Sequence, residues 1–275
     1  MDFSTAAIPP QIKQLRAPVA SSHKGQNGKL LIIGGSELFH AASKWSLDVA
    51  AHLVDMVFYS STNENNQLIQ QVKQMFWDGI VVPRSKIAPY IDEADCVLIG
   101  PGMERSAETS ALVNQLLTSY PLKKWVIDAG ALQVGDPSLF TSSCILTPHH
   151  QEMTLLPINR WIDGATSPLI LQKGPVDELK KGNQQLATIA GGSVGLTKGG
   201  TGDVLAGLIS ALYCTQNQEV AAIIGSWVNK KAAEELGETV GPYFSTTELA
   251  LQVPKTLWAA IQSAQSVSNG STSND

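Results

Sequence analysis

Three cysteines are all that this chain of 275 residues contains: Cys96, Cys144 and Cys214. They are odd in number, isolated and without a CxxC spacing. That excludes a disulfide frame or cysteine zinc site and makes them small buried hydrophobes of a reducing compartment. Charge is sparse too, at 16% of residues and net −5, with no basic block and no long like-charge run. Nucleic acid and anionic membrane surfaces are therefore not expected as partners. No apolar run approaches membrane-spanning length. The first residues, Met1 to Pro18, lack the apolar stretch of a signal peptide. A cytoplasmic globular protein is expected. What is plentiful is apolar content, 43% of residues, ample for one large α/β domain. No internal repeat or linker divides it.

Along the chain, apolar runs punctuated by glycine alternate with helix-competent segments. Lys29–Gly35 reads as a buried strand turning at Gly34-Gly35-Ser36 into a helix with Ala42, Trp45, Val49 and Leu53 at helical spacing. Met56–Ser61 reads as a strand, followed by an Asn- and Gln-rich helix carrying Leu68, Val72 and Phe76. Strands are expected at Gly79–Pro83, Asp95–Met103, Trp125–Leu132, Ser143–Met153 and Leu169–Gly174, with a helix capped at Ser106. A polar hairpin is expected around Lys181-Gly182-Asn183, and helices over 219–236 and 246–265. Such alternation predicts a parallel sheet with helices on both faces. Gly34-Gly35, Gly100-Pro101-Gly102, Asp128 and Thr147-Pro148-His149 then fall just past strand carboxyl ends, where open sheets bind ligands. Singly, each has an ordinary reading: a turn, a helix cap, or a partly buried imidazole beside the solvated His150. Lys173 could equally be a solvated strand end. Their shared location argues for a site.

The densest signal is Lys198 to Tyr213, KGGTGDVLAGLISALY, with four glycines in its first ten residues before an apolar helical run. A helix opening at such a loop presents free N–H groups and a positive dipole end to an anion. Asp203 at that edge is either a helix N-cap or a base poised beside a phosphoryl group.

The ordered motifs are His23-Lys24-Gly25 with Gly28, Gly34-Gly35-Ser36, Gly100-Pro101-Gly102, Asp128–Leu132, Thr147-Pro148-His149 with Glu152, Lys173-Gly174, and Gly199–Gly207. This series resembles the NAD(P)H-hydrate dehydratases of the ribokinase-like superfamily, over residues about 23 to 260. The resemblance implies a three-layer α/β/α sandwich around a mostly parallel sheet, spanning 23–264 between a leader, 1–22, and a disordered tail, 265–275. It implies a hydro-lyase that uses ADP, with ATP as the second candidate, to remove water from hydrated NADH or NADPH. Asp203 would be the catalytic base. Lys173, Gly174, Gly199, Gly200, Thr201 and Gly202 would bind the nucleotide, and Ala42, Gly102, His149 and Asp203 the hydrated cofactor. Mg2+ would accompany the phosphates. A homo-oligomer and a separate epimerase partner are further implications.

The chain departs from the family's pattern mainly on the side that binds AMP. Ser193 stands where the family has asparagine, and Val176 and Asp177 follow Lys173-Gly174-Pro175 where it favours a small residue and a threonine. An aspartate there would cost phosphate binding roughly 1 kcal/mol. Two other readings share the same base and anion site. One is a kinase of a different small hydroxyl substrate; the other is a nucleotide-binding relative without turnover.

Overall fold

A computed structural model describes residues 1–71 and 78–270. Ten strands form a single sheet: β1 (Asp2–Ser4), β2 (Lys29–Ile33), β3 (Met56–Ser60), β4 (Gly79–Val81), β5 (Cys96–Ile99), β6 (Lys124–Ile127), β7 (Cys144–Leu146), β8 (Leu169–Gln172), β9 (Val176–Lys181) and β10 (Gln184–Ala190). Their spatial order is β1-β10-β9-β8-β7-β6-β5-β2-β3-β4. All neighbouring pairs are parallel except β8–β9 and β9–β10, the hairpin expected from the polar stretch around Gly182.

The central strands are apolar throughout because both of their faces are covered. In β2, Leu30 and Ile32 point into one core and Leu31 and Ile33 into the other. The first core packs under α1 (His40–Ala51), α7 (Thr201–Thr215), α8 (Gln218–Val240) and α9 (Thr246–Gly270). The second packs under α3 (Ala88–Glu93), α4 (Ala107–Ser119) and α5 (Ala129–Val134), around the fully buried Trp125. Three layers result, with α7 the most deeply enclosed helix of its layer: its side chains are buried from Val204 to Cys214. As expected, Ser106 caps α4, accepting from the Thr109 N–H at 3.1 Å.

Three expectations change. The leader is part of the fold: β1 pairs in parallel with β10, and Ile12 is buried in the first core. The terminal helix continues to Gly270, past the point where an irregular tail is expected, because residues with little apolar content still extend a helix already nucleated by packing. In α2 (Asn63–Gln71), Leu68 is exposed, and the buried residues are Asn65, Asn66 and Ile69. The two asparagines face inward because they fasten loops. Asn65 Nδ2 donates to Ser36 O at 2.9 Å, and Asn66 Oδ1 accepts from the Ser61 N–H at 3.0 Å. Val72 and Phe76, expected on the same helix, lie outside the described residues. No helix among the described residues is long and apolar enough to cross a membrane.

Candidate active site

The loops beyond the strand ends continue the sheet's hydrogen bonding, which draws five of them side by side. Gly34 N donates to Ser60 O, Gly100 N to Ile33 O, Asp128 N to Ile99 O, Thr147 N to Ile127 O and Lys173 N to Pro148 O. Gly100 takes a φ of +123°, and a Cβ there would fall 1.8 Å from Asp128 O, so only glycine lets these two loops touch. Ala129, next to Asp128, has a φ of +44°, the one positive value among the described non-glycine residues. Strained backbone of this kind concentrates at functional sites.

At the other side of the edge, Gly200 precedes α7 in the left-handed region (φ +96°) and turns the chain sharply against the Trp45 ring. The turn aims the first N–H groups of α7 outward. Thr201 N returns to Lys198 O, while helix geometry leaves Gly202 and Asp203 N–H without an intrahelical acceptor. Asp203 is therefore the third residue of the helix and not its cap; Gly200 occupies the capping position. Burial pushes the Asp203 carboxyl up to about 7, with the Asp128 charge adding to the rise, Lys173 opposing it and Glu152 contributing further.

Lys173 and Asp128 form an ion pair at 2.8 Å. Asp128 occupies the N-cap position of α5, but its side chain does not cap the helix: its Oδ1 accepts from Lys173 Nζ and from Thr147 Oγ1, also at 2.8 Å. Burial works against the Lys173 ammonium, yet Asp128, Glu152 and Asp203 together hold its pKa above the ordinary lysine value. A Cβ on Gly202 would lie 3.5 Å from Lys173 Nζ, which places the ammonium at the mouth of α7.

His149 opens the short helix α6 (His150–Met153) through a capping box. Its Nδ1 accepts from the N–H groups of Gln151 and Glu152, while Glu152 accepts from the His149 N–H. An accepting Nδ1 leaves the ring proton on Nε2. The ring is exposed, and the buried Glu152 is held in turn by Gln133 Nε2 at 2.6 Å.

A cavity of about 680 Å³ opens between these groups, and His149, Lys173, Gly174, Thr201 and Gly202 all line it. Gly199 and Gly200 do not; they shape the turn, and Thr246 Oγ1 holds Gly199 O at 2.9 Å. The Thr201 hydroxyl serves the loop as well, donating to Leu196 O and Lys198 O. Ala42 and Gly102 adjoin each other, and α1 links Ala42 to Asp203. A Cβ on Gly102 would stand 3.0 Å from Ala42 Cβ, and Ser46, one turn beyond Ala42, donates to Asp203 O at 2.8 Å.

Asp177 corrects an expectation. Its carboxylate is buried and does not confront the cavity as a bare charge. It accepts from Gly174 N at 2.9 Å and Ser226 Oγ at 2.7 Å, and pairs with the buried Lys230 at 3.3 Å. Lys230 Nζ also donates to Gly174 O and Pro175 O. The Gly174 N–H is thus already engaged, and the repulsion expected from Asp177 is neutralised. In the sequence Lys230 shows only as a lysine beside the apolar run of α8, with nothing to pair it to Asp177. Among the described residues no cluster of three or more His, Cys, Asp and Glu side chains is arranged to hold a metal ion.

The profile of the NAD(P)H-hydrate dehydratase family matches residues 30–255. The chain is 34% identical over 254 residues to a bifunctional NAD(P)H-hydrate repair enzyme of Methanocaldococcus jannaschii, covering 90% of this chain and 51% of that one. It spans about half the length of the first such bifunctional relatives it matches. It is 29% identical to an ADP-dependent (S)-NAD(P)H-hydrate dehydratase of Cenarchaeum symbiosum, covering 86% and 90% of the two chains. Its fold is that of a ribokinase-like superfamily protein from Enterococcus faecalis, with a TM-score of 0.79 at 18% identity over 94% and 96% of the chains. A profile matched across most of the sequence, on a ribokinase-like sandwich, makes this chain a member of the NAD(P)H-hydrate dehydratase family.

Proposed function

We propose that this chain is a hydro-lyase that returns hydrated NADH or NADPH to the intact cofactor at the expense of ADP, with ATP as the second candidate donor. The observation that carries the reading is a half-buried carboxylate, Asp203, pushed up to about 7 by its surroundings, on the first turn of α7 and beside a nucleotide-sized cavity. A general base works best with a pKa near the operating pH. The ADP-dependent relative supports the choice of donor.

The chemistry follows from the leaving group. Hydroxide leaves the hydrated ring poorly, whereas a phosphate ester leaves readily. Asp203 takes the proton of the ring hydroxyl as its oxygen attacks the terminal phosphorus. The bond from that phosphorus to the departing AMP (or ADP) breaks. The N–H groups of Gly202 and Asp203, the α7 dipole and the Lys173 ammonium lower the energy of the negative charge spread over the transferred group. The ring nitrogen's electron pair then expels phosphate, and loss of a proton from the adjacent carbon restores the double bond. In this reading Lys173 and Gly174 border the nucleotide, and Gly199 to Gly202 form the loop around its phosphates. His149, Ala42 and Gly102 contact the hydrated cofactor. Among the described residues no donor set makes a metal cage, and in this reading Mg2+ would accompany the phosphates of the incoming nucleotide.

The neutralised Asp177 also weakens one of the departures on the AMP side that motivate reading the chain as a binder without turnover. A cytoplasmic location, a homo-oligomeric state and a separate epimerase partner complete the proposal. The longer relatives are named bifunctional repair enzymes, which supports a second activity beside this one. The test incubates the protein with hydrated NADH, Mg2+ and either ADP or ATP, and follows the near-ultraviolet absorbance of the dihydronicotinamide ring. Recovery of absorbance, lost in Asp203→Asn, is the expected result. A stable phosphate ester without recovery would instead identify a kinase.

A further inference from the structure

The sheet reverses its direction of growth at β2. β3 and β4 extend it on one side, and β5 and β6 on the other. The helices leaving β2 and β5 go to opposite faces: α1 buries Leu47 and Val49 in one core, α4 buries Val113 and Leu117 in the other. Diverging loops of this kind open a crevice at the carboxyl edge, the place where open α/β sheets bind ligands. Here it encloses about 700 Å³ beyond the ends of β2 to β5, with Gly35, Thr62, Arg84 and Met103 on its walls. Gly35 also touches the Gly102 side of the candidate site: a Cβ on Gly102 would lie 3.2 Å from Gly35 Cα. A second space of nucleotide size thus adjoins Gly102.

The crevice has an uneven charge. Arg84 Nη2 donates to Gly34 O and Ser60 O at 3.0 and 3.3 Å, its Nε is buried without a partner, and no carboxylate lies within ion-pair distance among the described residues. Around it stand Glu37, Glu104 and Glu108, all exposed and none in an ion pair among the described residues. Three carboxylates against one guanidinium leave an excess of negative charge.

Resting on the dehydratase reading, we propose that this crevice receives the adenosine half of the hydrated dinucleotide, and that its carboxylates select the NADH form over the NADPH form. The phosphoryl donor takes the cavity beside Lys173. The hydrated ring sits at Asp203, and the rest of the dinucleotide passes Gly102 into the crevice, where Arg84 faces the pyrophosphate. A carboxylate accepts from the free 2′-hydroxyl of NADH, whereas the 2′-phosphate of NADPH brings two negative charges against Glu37, Glu104 and Glu108. Because these residues are exposed, salt screens the discrimination.

The products carry the same adenosine half, so fluorescence titration of NADH and NADPH on the full chain reads the preference directly. NADH should bind about tenfold more tightly at low ionic strength, with the gap shrinking at high salt. The triple variant Glu37→Gln, Glu104→Gln, Glu108→Gln should close it by tightening NADPH. Equal affinities, a preference for NADPH, or an unchanged ratio in the triple variant would overturn the inference. In turnover, equal kcat/KM for both hydrated forms would overturn this inference alone. Turnover of neither would overturn the dehydratase reading and the inference with it.

Discussion

Lys173 Nζ and Asp128 Oδ1 meet at 2.8 Å across the width of β7, the aspartate only 2% exposed and the lysine 18%. The pair joins the ends of β8 and β6 and sets the charge that Asp203 feels. Because the Asp128 charge helps raise the Asp203 carboxyl, Asp128→Asn should shift the acidic limb of the kcat/KM profile to lower pH. It should also weaken nucleotide binding by freeing Lys173. An acidic limb that stays in place would separate Asp128 from the base.

Asp203 itself makes two predictions. Activity should rise with its deprotonation, reaching half its maximum near pH 7. Asp203→Asn should cut turnover by about 10²–10⁴-fold while nucleotide affinity stays within a few-fold.

Stability has its own sign. The folded carboxyl titrates at about 7 against an ordinary value of 3.8. Between those values the folded chain holds the extra proton, so stability falls as pH rises through the window and the full penalty persists above it. Asp203→Asn should therefore stabilise the chain at about pH 8, by no more than about 4 kcal/mol and with a higher Tm, and change Tm little at about pH 4. Equal effects at both pH values in thermal denaturation would refute the assignment.

Asp177→Ala should not improve nucleotide affinity, although the sequence reading suggested a repulsive aspartate. It leaves Lys230 buried and unpaired, which costs about 3–5 kcal/mol. Denaturant titration should show a lower midpoint, and calorimetry no gain in ADP binding.

Gly200→Ala should displace the start of α7, since a Cβ would fall 2.3 Å from the Trp45 ring at a φ unfavourable to alanine. A loss of about 1–3 kcal/mol in stability together with a larger loss of turnover is expected. Native stability with full activity would show that the turn tolerates a side chain.

Much of this molecule was legible from residue pattern. Continuous apolar runs in β2, β3, β5 and β6 announced strands covered on both faces, and glycine-rich ends announced a ligand edge. Leu68 misled because apolar character alone says nothing about which face of a short helix the loops require. The leader strand β1 was invisible for a related reason: three residues have no periodicity, and only the waiting edge of β10 makes them a strand.

By itself the sequence determined the alternation of elements, the glycine turn before α7 and the presence of Asp203 on that helix, because propensity, periodicity and backbone permissiveness are local. Tertiary structure alone decided that Asp128 meets Lys173, that Lys230 neutralises Asp177, and that burial lifts Asp203 to about 7. Those outcomes depend on distances between residues 45, 53 and more positions apart. The dielectric around a charge is likewise set by everything folded over it.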